Sequence, residues 1–279
     1  MNKNNFGNAA WGFREMDIES QLKITSSMGL DIHELGIANA PLDIPLDVSN
    51  ERLDEVKAAY EKYNVRLLTA ATGNDFTNSN TDDIDKVKRV IDICSYLGIK
   101  YLRIFAGFSP IEEVVGKRYD IMVGAINLLA DYAASKSVVL AIETHGKPDE
   151  YENGEYEHYN SITTDPESIK KLLNDFDCRV MFNYDPANLY AVGIKNPDSV
   201  FRIIKDRVAY VHLKDFKKMP SGHIKSAACG ESGMDWNDIM KGIDDFNGPM
   251  LFEYEILEDL EDGLKKSFDY IMKIVDKQK

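Results

Sequence analysis

Acidic and imidazole side chains close four consecutive apolar runs in the second half of the chain. They are Glu143, Asp185, His212 and Glu253, and their spacing leaves room for one helix and one loop between successive runs. Three carboxylates brought together repel one another, and burial raises some of their pKa values. A divalent cation offsets this repulsion, and a donor set of two Glu, one Asp and one His favours Mn²⁺ or Mg²⁺, with Co²⁺ or Zn²⁺ accommodated through the imidazole. These residues therefore predict a site for one divalent metal ion, with Mn²⁺ preferred.

Polar residues recur two positions away from each of these side chains. Side chains two apart on a strand share a face. The pairs that would point inward together are Glu143 with His145, Asn183 with Asp185, His212 with Lys214, and Glu253 with Glu255. Taken singly, a strand-end carboxylate usually caps a helix and a lone histidine is usually a satisfied core residue. The recurrence on four successive runs favours a shared site.

Eight strand–helix pairs in alternation would position these side chains. The apolar runs that predict strands are 6–13, 30–38, 64–72, 100–107, 137–145, 178–185, 207–215 and 249–256. Helices are predicted to begin at the capping residues Asp17 and Ser49. Apolar residues at helical spacing predict six more helices, in 81–98, 111–135, 165–174, 197–205, 235–243 and 259–276. Strict alternation predicts a parallel sheet, and eight strands close a single (β/α)8 TIM barrel, in which polar groups at the C-terminal strand ends converge on the mouth.

No linker interrupts the pattern, so residues 1–279 are predicted to form one domain. Two connections, 146–165 and 216–235, are longer than the usual two to six residues. Both follow the C-terminal end of a strand, so we expect them over the face where barrel enzymes place their sites. A lid or binding role is favoured over a plain insertion.

Composition narrows the function classes. The chain has 33 basic and 47 acidic side chains, a net charge of −14, which argues against binding nucleic acid or an anionic membrane. Its three cysteines are far apart and odd in number, so they form neither a disulfide framework nor a paired-cysteine zinc site. Without a signal segment or an apolar span, a cytoplasmic protein is expected. The charge leaves room for a small polar substrate, and an acidic barrel of this kind is compatible with a homodimer.

Five segments give the chain a resemblance to a known superfamily. They are IETH at 142–145, FNYDPANL at 182–189, VHLKDF at 211–216, GESGMDW at 230–236 and GPMLFEYE at 248–255. With these segments the chain resembles the sugar phosphate isomerase/epimerase superfamily, the xylose isomerase-like TIM barrels. That group includes ketose 3-epimerases, hydroxypyruvate isomerase, inosose dehydratase and endonuclease IV. The resemblance implies that Glu143, Asp185, His212 and Glu253 bind one divalent metal ion. The position of Gly248, five residues before Glu253, favours Glu253 over Glu255.

The resemblance also implies an activity. Glu143 and Glu253 would act as acid and base in a metal-dependent isomerase or epimerase, which moves a proton next to the carbonyl of a sugar or keto-sugar through an enediolate. The main alternative is a lyase on the same scaffold, either a keto-inositol dehydratase or an enzyme that cleaves a C-glycoside of a 3-keto sugar. A non-catalytic sugar-binding barrel is less favoured because all four ligands are present. An endonuclease IV-type enzyme is disfavoured because it needs a three-metal cluster with several additional histidines and a basic groove for DNA. This chain has only five histidines and a charge of −14.

Further residues around the predicted site have weaker assignments. The substrate-binding candidates are His145, Asn188, Lys214 and Lys218. Asn188 stands where several epimerases carry a histidine, and Lys218 stands where family members often carry an arginine. Arg103 is predicted to point inward and to hold Glu34 or the ligand carboxylates. His33, His158 and His223 receive no role.

Overall fold

A computed structural model describes residues 5–78 and 82–277. Its strands are β1 (Phe6–Asn8), β2 (Ile32–His33), β3 (Leu35–Gly36), β4 (Thr69–Ala71), β5 (Tyr101–Ile104), β6 (Val139–Glu143), β7 (Lys147–Glu150), β8 (Tyr156–Tyr159), β9 (Met181–Tyr184), β10 (Val208–Leu213), β11 (Asp215–Lys218), β12 (Ile224–Ala227) and β13 (Met250–Phe252). Its α-helices are α1 (Ile18–Ser27), α2 (Asn50–Lys62), α3 (Asp82–Leu97), α4 (Lys117–Ser135), α5 (Pro166–Asp175), α6 (Pro186–Ala191), α7 (Asp198–Ile204), α8 (Trp236–Gly242) and α9 (Leu260–Lys277). Short 3₁₀ helices occupy Trp11–Phe13, Ile111–Glu113 and Lys205–Arg207.

The parallel strands form a TIM barrel, as predicted. Their order is β2-β1-β13-β10-β9-β6-β5-β4-β3, and every neighbouring pair is parallel. The two outer strands in this order, β2 and β3, are halves of the one run predicted at 30–38, interrupted at Glu34. Each of the eight predicted runs therefore contributes to the barrel, and the second run supplies both edges of the sheet.

Helices surround the barrel close to their predicted positions. Several begin at side-chain caps: Asp17, Ser49, Asp165 and Asp235 each accept a hydrogen bond from a backbone amide in the first turn. The predicted helix 81–98 starts at a residue outside the described ranges, and α3 covers the rest of it apart from its last residue. The short helix α6 has no counterpart in the sequence prediction, because its polar and apolar residues do not repeat over a full helical period.

The barrel interior divides into an apolar floor and a polar upper layer. The floor is a separate hydrophobic cluster made of Ala9, Ile32, Ala141, Ala209, Tyr210 and Leu251. Side chains of the opposite strand face, such as Ile142, Tyr184 and Leu213, pack in the main core with the helices. Each such buried side chain contributes roughly 1.5–3 kcal/mol of hydrophobic stabilisation. Packing of these apolar layers keeps the strand ends that carry the polar residues in fixed positions.

The two long connections form a second, antiparallel sheet. Strands β7 and β8 make one hairpin within 146–165, and β11 and β12 make another within 215–227. The hairpins join edge to edge through Tyr156 and Ile224, in the order β11-β12-β8-β7. Neither connection is therefore an irregular loop.

Two further expectations concern cysteines and membranes. Cys94 and Cys229 are buried, Cys178 is exposed, and all three are free thiols, as their spacing predicted. Within residues 5–78 and 82–277, no helix combines the length and the apolar character needed to cross a bilayer.

Candidate active site

The structure brings the four predicted metal ligands together at the C-terminal strand ends. Glu143 is the last residue of β6, Asp185 follows β9, His212 lies near the end of β10, and Glu253 follows β13. One potential ligand atom from each side chain lies within 4.8 Å of the others. All four side chains are buried, with at most 5% exposed. Four donors at this separation could hold a single metal ion.

His212 lies at the centre of this cluster. Its Nδ1 is 3.6 Å from Glu143 Oε1 and 3.5 Å from Glu253 Oε2. Burial opposes a charged imidazole, but the carboxylates of Glu253 and Glu34 outweigh it and raise the pKa of His212 well above its usual value. Burial likewise opposes ionisation of Glu143, yet Arg103 and His212 lower the pKa of Glu143 to about 2. Arg103 Nε lies 3.2 Å from Glu143 Oε2, in agreement with the prediction that Arg103 holds a ligand carboxylate.

Asp185 caps a helix as well as belonging to the four-residue cluster. Its Oδ1 accepts hydrogen bonds of 2.8 and 3.1 Å from the amides of Ala187 and Asn188, so it caps α6. Burial above all, together with Glu143 and Glu253, raises the pKa of Asp185 to about 8 against the opposing effect of Lys214. The protein alone thus keeps a proton on this carboxyl group. Three buried carboxylates and one imidazole in this arrangement fit a hard or borderline divalent cation, which would stabilise all three ionised groups.

Glu34 supports His212 from beneath. Its Oε1 lies 3.5 Å from His212 Nε2 and accepts a 2.7 Å hydrogen bond from the Tyr210 hydroxyl, while its Oε2 accepts a 3.0 Å bond from the Ala10 amide. Nε2 faces Glu34, whereas Nδ1 faces Glu143 and Glu253 and also lies 3.2 Å from Asn183 Nδ2. A carboxylate in this position orients an imidazole ligand and increases its basicity. Sequence analysis connected Glu34 with Arg103 only, because nothing in the sequence pairs it with a residue of β10.

Asn188 lies within the carboxylate cluster. From the first turn of α6 its Nδ2 donates hydrogen bonds of 3.2 Å to Glu143 Oε1 and 3.0 Å to Asp185 Oδ2. It is fully buried and is not among the residues that line the adjoining cavity. The geometry therefore gives Asn188 the task of orienting two carboxylates, whereas the sequence placed it against the substrate.

A cavity of about 280 Å³ opens above the cluster. Glu143 and Glu253 are exposed to it, and it is large enough for one sugar ring, since a cavity of about 150 Å³ admits benzene. Its remaining walls are Trp11, Asn39, Arg103, Phe105, Phe108, His145, Pro148, Glu150, Tyr156, His158, Lys214, Phe216 and Glu255. Several of these belong to the antiparallel sheet, so the two hairpins form one side of the cavity. Aromatic faces beside a few polar groups are typical of a small-molecule site.

The predicted substrate-binding residues divide into two groups. His145 and Lys214 line the cavity, and Lys214 Nζ lies 3.2 Å from Glu253 Oε2 and 2.6 Å from Glu255 Oε1. Lys218 is exposed on β11 and lies outside the cavity lining, as does Asn188. Two of the four candidates thus lie in the cavity wall and two lie outside it.

Sequence analysis also missed His158, which lies on β8 in the cavity wall. Burial lowers the pKa of His158 to about 2 and the pKa of His145 to about 4, so both rings are neutral at pH 7. The other unassigned histidines lie elsewhere. His33 is buried with its Nε2 2.8 Å from Gln21 Oε1, and His223 stacks on Tyr151 outside the cavity.

Comparisons with known proteins agree with this architecture. A search of curated protein sequences finds no significant match. The chain is similar in structure to a probable 3-DHS dehydratase of petrobactin synthesis from Bacillus anthracis (TM-score 0.78, 14% identity, covering 96% of this chain and 98% of that one). It is also similar to a xylose isomerase domain protein from Planctomyces limnophilus (TM-score 0.76, 15% identity, 98% and 96% covered). A third similar structure is 3-keto-D-glucoside 4-epimerase from E. coli (TM-score 0.72, 15% identity, 97% and 100% covered).

At these identities the structural similarity establishes the fold. A family model that spans most of the chain establishes the relationship: the model described as xylose isomerase-like TIM barrel matches residues 22–274. The chain therefore belongs to the xylose isomerase-like TIM barrel family.

Proposed function

We propose that this protein is a metal-dependent isomerase or epimerase that moves a proton next to the carbonyl of a sugar or keto-sugar. The observation that carries the proposal is the position of Glu143 and Glu253. Both line the cavity, and both approach the same atom, His212 Nδ1, at 3.6 and 3.5 Å. Two carboxylates on one cluster below a sugar-sized cavity are the groups that proton removal and proton return require.

Glu143, Asp185, His212 and Glu253 would hold one divalent metal ion, with Mn²⁺ preferred for this donor set. Such an ion, when bound, polarises a carbonyl and the adjacent hydroxyl and so acidifies the C–H bond between them. Asn188 and Glu34 keep the ligands oriented from the side and from below. Lys214 and Arg103 contribute positive charge beside the carboxylates, which favours their ionised, proton-accepting form.

The chain's own acid and base are Glu143 and Glu253. One carboxylate removes the proton, and the other returns a proton to the opposite face in epimerisation or to the neighbouring carbon in isomerisation. Whole-length structural neighbours support this class of chemistry, since they include the 3-keto-D-glucoside 4-epimerase and a D-psicose 3-epimerase from Clostridium cellulolyticum H10. The probable 3-DHS dehydratase among them keeps open the alternative, a lyase on the same scaffold.

We also propose that the chain is a single barrel domain whose two hairpins form the substrate wall, and that its partner is a small carbohydrate. Pro148, Glu150, Tyr156 and His158 from one hairpin and Phe216 from the other face the cavity. This wall would decide which sugar enters, while the buried cluster would decide the chemistry.

Solvent-deuterium exchange tests the proposed function. The Mn²⁺-loaded protein is incubated in D₂O with ketoses, keto-inositols and 3-keto glycosides, and products are analysed by mass spectrometry and NMR. Deuterium on the original carbon with inverted configuration identifies an epimerase, deuterium on the neighbouring carbon an isomerase, and loss of a β-substituent a lyase. Glu253→Gln serves as the control and should incorporate no deuterium. Absence of exchange into every compound with wild-type protein would contradict the proposal.

A further inference from the structure

Two histidines from different elements lie close together in the wall of the cavity. His145 follows β6 and His158 lies on β8, and their ring centroids are 6.0 Å apart. Aromatic rings surround them: His145 packs edge-on against Phe105 at 5.1 Å, and His158 packs against Phe216 at 5.2 Å. Over residues 5–78 and 82–277, no carboxylate oxygen lies within 4.0 Å of a nitrogen of either ring. These surroundings favour neutral imidazoles, in which one nitrogen donates and the other accepts.

The backbone determines which nitrogen of His145 carries the proton. Its Nδ1 lies within hydrogen-bonding distance of the carbonyl oxygen of Gly146. Because a carbonyl oxygen only accepts, the proton of the neutral ring lies on Nδ1. The Nε2 atom of His145 is therefore a hydrogen-bond acceptor.

His158 has the opposite arrangement. Its Nδ1 is buried and has no hydrogen-bond partner among the described residues. A buried N–H without an acceptor is rarer than a buried acceptor without a donor, so the proton belongs on Nε2. Since the ring lines the cavity and its Nδ1 is enclosed, Nε2–H is the polar group that His158 offers to a ligand.

We propose that His145 and His158 bind one hydroxyl group of the substrate between them. The hydroxyl donates to His145 Nε2 and accepts from His158 Nε2–H. Ring centroids 6.0 Å apart are close enough for one hydroxyl oxygen to lie about 2.8 Å from a nitrogen of each ring. This inference rests on the proposed function in one respect, that the cavity takes a sugar.

The pair specifies the chemical class of the group that it binds. A hydroxyl donates and accepts at once, whereas a carboxylate or a fully ionised phosphate only accepts and would leave His145 Nε2 without a donor. The two cations in the cavity lining are already paired, Arg103 with Glu143 and Lys214 with Glu253 and Glu255. This end of the substrate therefore carries an uncharged hydroxyl and no phosphate.

Nitrogen NMR tests the arrangement without any ligand. The full chain is labelled with ¹⁵N-histidine and loaded with diamagnetic Mg²⁺, and two-bond ¹H–¹⁵N correlations at pH 7 give the tautomer of each of its five histidines. His145→Phe and His158→Phe assign the two signals. We expect His145 to be protonated on Nδ1 and His158 on Nε2. The opposite tautomer at either ring, or a charged ring, would overturn the inference whatever the enzyme's activity.

Calorimetric binding of D-glucitol tests recognition of the hydroxyl. This hexitol has no carbonyl and cannot react, so binding is separated from chemistry. His158→Phe keeps an aromatic ring in the wall, and we expect it to weaken binding about tenfold, the effect of one lost hydrogen bond. His223→Phe, in the turn between β11 and β12 and outside the cavity, is the control and should bind as wild type does. Unchanged binding by His158→Phe would overturn the inference alone, whereas failure of wild-type protein to bind would count against the proposed function as well.

Discussion

The protons held by Asp185 and His212 decide how the cluster binds a cation near neutral pH. Burial, with the carboxylates of Glu143 and Glu253, raises the pKa of Asp185 to about 8, and the carboxylates of Glu253 and Glu34 overcome burial to raise that of His212 well above its usual value. Each group is protonated below its raised pKa and must lose its proton to become a ligand. We therefore expect Mn²⁺ to release about two protons per ion at pH 7 and to bind more tightly as pH rises from 6 to 8. Calorimetry in buffers of different ionisation enthalpy measures both effects, and a buffer-independent enthalpy with a flat affinity profile would contradict the assignment.

Glu253 and Glu255 provide a matched pair of carboxylates. Glu253 lies within the four-residue cluster, whereas Glu255 lines the cavity and pairs with Lys214 at 2.6 Å. We predict that Glu253→Gln lowers kcat at least about 100-fold, because a ligand and an acid/base group are lost together. Glu255→Gln should lower it less than about tenfold, because Glu255 lies outside the four-residue cluster. Steady-state kinetics on a substrate found by deuterium exchange measures both losses, and equal losses would contradict the different roles assigned to the two residues.

Glu34 is a positioning residue, and its effect on the metal can be measured directly. Glu34→Gln weakens the orientation of His212 Nε2, so we predict a rise in the Mn²⁺ Kd of about 10–100-fold with an unchanged far-ultraviolet circular dichroism spectrum. Tyr210→Phe removes only the hydroxyl that donates a hydrogen bond to Glu34 Oε1. It should raise the Mn²⁺ Kd less than Glu34→Gln does. Equal Mn²⁺ affinity in wild type and Glu34→Gln would show that Glu34 has only a packing role.

At the scale of elements, Asp215 anchors the second long connection to the barrel. Its Oδ2 accepts hydrogen bonds of 2.8 Å from Trp236 Nε1 and 2.9 Å from the Gly230 amide, and its Oδ1 accepts one from Phe216. Asp215→Ala leaves buried donors without an acceptor, so we expect the free energy of unfolding to fall by about 2–4 kcal/mol. Asp215→Asn retains one acceptor oxygen and should lose about half as much. Denaturant titration measures the difference, and equal stability of Asp215→Ala and wild type would contradict this anchoring role.

The elements differ in how well the sequence predicts them. The barrel strands are evident because each is a short apolar run followed by a helix, a pattern that depends on neighbouring residues only. The hairpins β7–β8 and β11–β12 have mixed polar sequences, and they pair with each other through Tyr156 and Ile224, which are far apart in the chain. Local patterns carry no information about such a pairing. The sequence therefore located the two connections but not their shared sheet.

The same reasoning holds for the site in the whole molecule. Glu143, Asp185, His212 and Glu253 were predicted as a group because all of them end strands of one parallel barrel. Glu34 supports His212 only because the barrel closes and brings the second strand run beneath β10. Glu34 and its hydrogen-bond donor Tyr210 are 176 residues apart in the chain. His158 reaches the cavity only through the hairpin sheet. Residues that reach the site through barrel closure or through the pairing of the two hairpins carry no sequence signal of their own here.

Metal stoichiometry tests the central claim most directly. Protein purified without chelators or a histidine tag is re-equilibrated with Mn²⁺, freed of excess ion and subjected to elemental analysis. Wild-type protein should hold one tightly bound ion per chain. Asp185→Asn should hold far less than one ion yet stay folded, because asparagine also caps helices and can replace Asp185 at the start of α6. A folded wild-type protein that retains no ion would contradict the four-residue metal site and the mechanism that depends on it.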